Sequence, residues 1–114
     1  MTRARYDIDE HRRRIFDRDG WRCQHPGCCE SATEIAHHIG QGEHHTASIQ
    51  LLWNAEYNET RSFAWIRANV IHHPLNVSAS CRKHNSNFNI GFNPEAVRAK
   101  IAAIRDEIKS RGTK

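Results

Sequence analysis

Four potential metal ligands, arranged as two short pairs, constrain the fold of this chain most. Cys23 and Cys28 flank a four-residue loop that contains a Pro-Gly turn, and two residues separate Cys81 from His84. Tetrahedral zinc accepts such a Cys₃His set, and four protein ligands leave no open position for water or substrate. The sequence therefore predicts a structural Zn²⁺ at these four residues. Cys29 is the alternative to Cys28, with a loop of five residues.

A zinc site would stabilise a chain of 114 residues, which buries only about two-thirds of its unfolded surface when it folds. Structural zinc could contribute on the order of 10 kcal/mol of folding free energy. The segment after Met1 is charged where a secretory signal would be apolar. No apolar run approaches ~18 residues, so we expect no membrane span. We expect a cytoplasmic protein with a metal site rather than disulfides.

The chain contains two well-marked helices. In "DIDEHRRRIFDRDGW", Asp7 is a plausible N-cap with Glu10 three residues later, which predicts a helix over about 8–18. Near the end, Asn93 is a cap and Pro94 occupies the first helical position. Val97, Ile101, Ile104 and Ile108 then form an apolar stripe. This predicts a packing helix over about 94–110.

The middle of the chain is less regular. "TEIAHHI" predicts a short strand that ends before Gly40 and Gly42. Residues 46–70 have apolar residues at helical spacing, which favours helices. Three aromatic residues of this segment are expected in the core rather than stacked on bases: Trp53, Phe63 and Trp65.

Three segments, "RDGWRCQHPGC", "TEIAHHI" and "PLNVSASCRKHN", together resemble the HNH endonuclease family. In that family a cysteine pair precedes a strand that ends in Asp-His or His-His. An asparagine stands five residues before a third cysteine. The second short pair of zinc ligands, or knuckle, leads directly into a metal-binding His or Asn. Here Asn76 lies five residues before Cys81, and Asn85 follows His84. The resemblance spans about residues 12–92.

The resemblance implies an α+β fold, namely a small ββα-metal domain with flanking N- and C-terminal helices and a structural zinc site. A two-stranded hairpin would pack on a helix and hold one divalent cation against the scissile phosphate. We expect a single domain over residues 1–114, with a core of about 12–92 followed by the packing helix of about 94–110.

The family's functional roles map onto four residues of this chain. His38 takes the place of the general base, and an imidazole suits this role because its pKa of about 6.5 allows proton transfer near neutral pH. His37 and Asn85 take the two positions that bind the catalytic cation, Mg²⁺ or Mn²⁺/Ni²⁺. Asn76 would brace the hairpin and orient the His38 ring by hydrogen bonds.

Three departures from the family pattern carry consequences. The segment between His38 and Asn76 is longer than a minimal hairpin needs, and the excess predicts a helical insertion over 46–70 that could shape DNA contacts or an oligomer interface. An imidazole at His37 in place of a carboxylate makes the cation site softer, so Mn²⁺, Ni²⁺, Co²⁺ or Zn²⁺ would compete better with Mg²⁺. Adjacent residues on a regular strand point to opposite faces, so His37 and His38 can share one cleft only if the strand ends or bulges there. The glycines at 40 and 42 permit such an ending.

The remaining histidine pairs are expected to have ordinary roles. His44 and His45 are predicted in a polar loop. His72 and His73 are predicted in a strand or turn with ordinary hydrogen bonds, the alternative being that His73 approaches the cleft. Asn89, one helical turn after Asn85, could add a ligand but is expected to be a polar surface residue.

The basic residues indicate a polyanionic partner. The net charge is +4 and the pI is near 9.1, which suits DNA because each bound phosphate releases a counterion. On charge alone, candidate phosphate contacts are Arg61, Arg82 and Lys83. The C-terminal helix offers a second, optional DNA face formed by Arg98, Lys100, Arg105, Lys109 and Arg111.

The sequence thus predicts a metal-dependent DNA endonuclease of the HNH type, a phosphodiester hydrolase of a phage or mobile element, acting as a monomer or homodimer. One alternative is a non-catalytic, zinc-stabilised DNA-binding module on an HNH scaffold. Another is a secreted protein stapled by disulfides, such as a toxin nuclease domain.

Overall fold

The computed structural model describes the backbone of residues 3–112 and the side chains of residues 10–111. It is an α+β structure with a two-stranded sheet and several helices, which confirms the predicted class. In chain order the helices and strands are α1 (Arg3–Arg18), β1 (Glu34–His37), α2 (Glu43–Tyr57), α3 (Phe63–Ile66), β2 (Val77–Ser80) and α4 (Pro94–Gly112). A π-helix (Arg67–Ile71) continues α3, and 3₁₀ helices flank β2 (Pro74–Asn76 and Arg82–Phe88).

The chain divides into two units. The first unit comprises the chain up to Ala36 together with Val77–Phe88, and the second comprises His37–Asn76 together with the chain from Asn89 onward. A single domain with a core of about 12–92 stays a prediction. Among the described residues, no helix combines the length and the apolar character that crossing a membrane requires.

The first unit has a small apolar cluster. Phe16 of α1 packs with Ala32 and Ala79, and Ile35 covers them in part. The Thr33 N–H donates to the Ser80 carbonyl at 2.9 Å. The start of β1 therefore lies beside the end of β2, so the strands are antiparallel. The segment that follows β2 is a 3₁₀ helix rather than an α-helix, and the helix that packs on β2 is α1.

Helix α1 begins earlier than predicted. It starts at Arg3, so Asp7 lies inside the helix and the predicted N-cap is wrong. The preceding "RARY" has good helix formers and therefore extends the helix. Glu10 contacts Arg13 at 2.7 Å and Arg14 at 3.4 Å, one helical turn away. These pairs stabilise the interior of a helix rather than its start.

The second unit contains the larger core. The predicted insertion is helical, as α2, α3 and the π-helix, and it packs against the apolar stripe of α4. The buried cluster contains Ile39, Ile49, Trp53, Ile66, Val70, Ile71, Val97, Ile101 and Ile104. Trp53 is buried as predicted, Trp65 is partly buried against it, and Phe63 is half-buried. The cap of α4 is confirmed, because Asn93 Oδ1 accepts the Ala96 N–H at 2.9 Å.

His44 and His45 lie in the first turn of α2, so the predicted loop is wrong at this point. The His45 ring stacks on Phe92, with centroids 4.7 Å apart and planes inclined by 7°. Gly40 lies against the same ring, and a Cβ there would come within 3.1 Å of it. Any larger residue at position 40 would require the His45 ring to shift by a few tenths of an ångström, so the two residues pack closely.

Candidate functional site

The first unit brings the four predicted zinc ligands together. The ligand atoms of Cys23, Cys28, Cys81 and His84 all lie within 4.8 Å of one another. Cys81 Sγ lies 3.4 Å from His84 Nδ1, and Cys28 Sγ lies 3.9 Å from Cys81 Sγ. Around a tetrahedral zinc with bonds of about 2.0–2.3 Å, ligand atoms lie roughly 3.4–3.8 Å apart. The group could therefore hold a metal such as zinc with little movement.

Two local turns build this ligand group. In the first, the Cys28 N–H donates to the His25 carbonyl, and Gly27 adopts a φ of 83°, which favours glycine. An isolated antiparallel bridge between Arg22 and Ser31 closes the base of this loop. In the second, the His84 N–H donates to the Cys81 carbonyl as the 3₁₀ helix begins. Both turns are short-range features, which is why sequence spacing could reveal them.

The surroundings of Cys23 and His84 favour their metal-binding forms. Burial raises the pKa of the Cys23 thiol, but hydrogen bonds from the backbone N–H groups of Cys81 and His25 outweigh it and lower the pKa below its ordinary value. Burial also lowers the pKa of His84, with a further contribution from His25 and Lys83. The His25 ring stacks on His84 at 4.0 Å and fixes its plane. A thiolate and a neutral imidazole are the forms that ligate zinc.

Cys28, not Cys29, belongs to the ligand group. Cys29 is exposed, and the group contains Cys28 in its place. All four cysteines are free thiols. The largest single effect on the pKa of Cys28 is a hydrogen bond from the Glu30 N–H, which lowers it. Burial and the neighbouring thiols of Cys23 and Cys81 together outweigh this bond and raise the pKa above its ordinary value.

Strand β1 ends at the histidine pair, which is the condition for His37 and His38 to share one cleft. β1 stops at His37, and His38 lies in the following bend. The His38 N–H donates to the Asn76 carbonyl at 2.8 Å, and its own carbonyl accepts the Ile90 N–H at 2.9 Å. The backbone of His38 is therefore fixed on both sides. Both imidazoles are half-buried.

Asn76 is the buried brace of this region. Its side chain is fully buried, and Oδ1 accepts the Ile39 N–H at 2.9 Å. Nδ2 donates to the carbonyls of Ile39, at 3.1 Å, and Ile71, at 2.8 Å. All three of these hydrogen bonds join the amide to backbone groups. Asn76 therefore positions His38 through the backbone and not through a bond to the His38 ring.

Asn85 belongs to the first unit, directly after the ligand His84. Its Nδ2 lies 3.4 Å from the Ile35 carbonyl and 3.3 Å from Ser80 Oγ. A carbonyl only accepts hydrogen bonds, so this contact assigns the amide nitrogen to that side. The Asn85 carbonyl oxygen, the atom that a hard cation prefers, is then on the opposite side of the amide. The predicted pairing of Asn85 with His37 at one cation stays a prediction.

Sequence reasoning missed a contact of His37. Its Nε2 lies 3.1 Å from Nδ1 of His72, and the two rings are inclined by 75°. His72 ends the π-helix, and its N–H donates to the Arg67 carbonyl. Nothing in the spacing of the histidines indicates this contact, because it depends on where an irregular helix ends.

His73 has a structural role, which differs from the alternative that it approaches the cleft. It is buried, and its Nε2 lies 2.6 Å from Glu107 of α4. The Leu75 N–H donates to His73 Nδ1, so Nδ1 is an acceptor and Nε2–H donates to the carboxylate. This hydrogen bond lowers the pKa of Glu107. Both ring nitrogens are thus committed within the second unit.

Most basic residues of α4 are also committed to partners in the second unit. Arg98 lies 3.7 Å from Glu56, Arg105 lies 2.9 Å from Glu59, and Arg111 lies 2.9 Å from Glu107. Lys100 donates to the Leu75 carbonyl. These contacts weaken the case for a DNA face on α4.

The other predicted contact residues differ in how far neighbouring groups engage their side chains. Arg61 contacts Glu59 and lies over the Trp65 ring at 4.1 Å. Asn89 Oδ1 accepts the Gly91 N–H within its own turn, which suits the expected surface role. Arg82 is 91% exposed and contacts Glu34 at 3.4 Å, and Lys83 beside it is exposed. Arg82 and Lys83 are thus exposed basic residues that adjoin the Cys₃His group.

Comparisons with protein-family models, with curated proteins and with solved structures found no match for this chain.

Proposed function

We propose that this chain is a metal-dependent DNA endonuclease of the HNH type, with His38 as the general base. The observation that carries the proposal is the bracing of His38 by Asn76. The resemblance assigns Asn76 to bracing this region, and the residue is fully buried, with its backbone carbonyl accepting the His38 N–H and its Oδ1 accepting the Ile39 N–H. A buried asparagine that fixes the backbone from which the His38 imidazole projects suits a base that must be held in one position.

The Cys₃His group is proposed to bind structural zinc. Its four ligands leave no open position, so it would stabilise the first unit rather than react. The apolar cluster of that unit is small, and metal binding would supply the folding free energy that the cluster lacks.

In the proposed reaction, His38 takes a proton from the water that attacks the phosphodiester. His37 is a ligand of one divalent cation, whose charge would stabilise the phosphorane and the leaving 3′ oxygen. The products would carry 5′-phosphate and 3′-hydroxyl ends. Arg82 and Lys83 are proposed to contact the DNA backbone, since exposed basic side chains bind phosphate without regard to base sequence.

Cleavage of supercoiled plasmid tests the proposal. Zinc-loaded protein, with its fold checked by circular dichroism, is incubated with plasmid and Mg²⁺, Mn²⁺ or Ni²⁺ in separate reactions. We expect nicked or linear DNA with at least one of these ions, and ends that DNA ligase can rejoin. Folded protein that leaves the plasmid supercoiled with all three ions, yet binds DNA in a gel-shift assay, would instead be a zinc-stabilised binding module.

A further inference from the structure

A pair of imidazole nitrogens in the second unit, contributed by two different His-His pairs, faces one another at close range. His37 Nε2 and His72 Nδ1 lie 3.1 Å apart, with ring centroids 5.1 Å apart. We propose that His72 joins His37 as a ligand of a divalent transition-metal ion. The inference rests on the proposed function in one respect, because His37 is there the ligand of the catalytic cation.

The distance between the two nitrogens fits a shared ion. Two imidazoles bound to one ion at about 2.1 Å, at an angle near 90–110°, hold their nitrogens roughly 3.0–3.4 Å apart. The measured separation lies in this range, so an ion could bind with small rotations of the two rings. An N–H···N hydrogen bond has a similar length. That alternative predicts no affinity for metal, and the two interpretations therefore differ in a measurable property.

The backbone on both sides of the pair is fixed before any ion binds. Asn76 bonds Ile39, two residues after His37, and also Ile71, the residue directly before His72. One buried amide thus joins the two chain segments from which the imidazoles project. Ligands that are already in position lose little conformational entropy on binding.

The local structure at His72 supports a functional role. His72 follows the π-helix, and π-helical turns occur frequently at functional sites. The neighbouring Ile71 and His73 are both buried, and His73 bonds Glu107. The flanking side chains therefore anchor the turn, and His72 is half-buried between them.

The chemistry of the pair selects the class of ion. Imidazole nitrogen suits Ni²⁺, Co²⁺, Zn²⁺ and Cu²⁺, whereas Mg²⁺ prefers oxygen ligands. Two protein ligands leave several coordination positions for water or phosphate oxygen, as a catalytic ion requires. We therefore expect the pair to bind Ni²⁺ or Co²⁺ more tightly than Mg²⁺.

Calorimetric titration of zinc-loaded protein with Ni²⁺, in the absence of DNA, tests the inference. The zinc content is measured afterwards to show that the structural ion is retained. We expect one additional Ni²⁺ per chain, and at least about tenfold weaker binding in His37→Ala and in His72→Ala. His44→Ala, which removes an exposed imidazole from α2, should bind Ni²⁺ as the unchanged protein does. In NMR spectra, Ni²⁺ should broaden the ring resonances of His37 and His72 together.

Wild-type Ni²⁺ affinity in folded His72→Ala, or broadening that spares the His72 ring, would overturn the inference. Failure of the zinc-loaded, unchanged protein to bind the expected Ni²⁺ would overturn it as well. His72→Gln serves as a second variant if the alanine protein does not fold, since glutamine keeps the side-chain volume and removes the imidazole. Because the titration contains no DNA, intact Ni²⁺ binding without cleavage would contradict the proposed function and leave this inference standing.

Discussion

At the scale of single residues, Asn76 connects more of the candidate site than any histidine does. Its backbone carbonyl holds His38, and its side chain holds Ile39 and Ile71. The amide is fully buried. Its removal would leave the Ile39 N–H and the carbonyls of Ile39 and Ile71 without a hydrogen-bond partner and without access to water. Unpaired buried polar groups are costly, so this residue links stability to the position of both His38 and His72.

Asn76→Ala should lower the free energy of unfolding by about 3 kcal/mol or more, since it leaves one backbone N–H and two carbonyls unpaired. Asn76→Asp retains an acceptor for the Ile39 N–H but places an oxygen against the carbonyls of Ile39 and Ile71. We therefore expect it to be no more stable than the alanine variant. Urea unfolding of both variants measures this. An aspartate variant with wild-type stability would show that the two Nδ2 contacts contribute nothing.

The place of Asn76 beside the histidine pair and the end of the strand at His37 could both be predicted from the sequence, but the predicted hydrogen bonds from Asn76 to the His38 ring are wrong, because its amide bonds the backbone of Ile39 and Ile71 instead. The first came from the resemblance, and the second from the rule that neighbouring strand residues point to opposite faces. The contact of His37 with His72 could not be predicted, because it joins residues 35 positions apart through a π-helix. Hydrophobic periodicity carries no signal for such a turn.

At the scale of elements, the two knuckles were accessible to prediction because each is closed by local turns. The start of α2 was not accessible. Its N-cap position is Gly42, which makes no side-chain hydrogen bond, so the sequence contains no cap to mark it. In α1 the opposite error arose, since Asp7 and Glu10 form a capping pattern inside a longer helix. Cap residues thus predicted α4 correctly and failed for α1 and α2.

Removal of the proposed zinc should unfold the first unit selectively. Its apolar cluster is small, whereas the second unit has the extensive core around Trp53 and α4. After treatment with a strong chelator, we expect the amides of α1 and β2 to lose protection in hydrogen exchange while the amides of α4 stay protected. Cys28→Ser should reproduce this loss. Cys29→Ser, the matched control, should behave as the unchanged protein. Equal protection of all elements after chelation would contradict a stabilising role for the metal.

At the scale of the whole molecule, stability should depend on pH through Glu59. Its carboxylate accepts hydrogen bonds from Arg105 at 2.9 Å, Trp53 at 2.8 Å and Arg61 at 3.0 Å. These contacts, that of Arg105 first, lower the pKa of Glu59 from 4.5 to about 2. The pKa of Glu59 is lower in the folded state than in the unfolded state, so its carboxylate stabilises the folded protein at pH values above the unfolded-state pKa. This stabilisation is lost as the pH falls through the folded-state pKa.

Glu59→Gln should therefore be less stable than the unchanged protein at neutral pH, and the difference should narrow between pH 4.5 and about 2. Urea unfolding across this interval measures the difference. Glu95→Gln removes the same charge at an exposed position of α4 and is the control, with a smaller and flatter difference expected. A gap for Glu59→Gln that widens toward low pH would contradict the assignment.

The division into two units lay beyond sequence reasoning. The apolar stripe of α4 showed that the helix packs, but it could not show that α2 and the π-helix are its partners. That choice depends on contacts between residues far apart in the chain. The predicted insertion supplies four of the nine buried residues of this core, namely Ile49, Trp53, Ile66 and Val70.

The central claim is that His38 is the base of a nuclease, and single-turnover cleavage of DNA by His38→Ala tests it most directly. The protein is zinc-loaded, and the metal ion is the one that best supports cleavage by the unchanged chain. We expect the rate to fall by about 10²-fold or more, with DNA affinity and melting temperature unchanged, while His44→Ala cleaves at the wild-type rate. Cleavage by folded His38→Ala at the wild-type rate would contradict the claim.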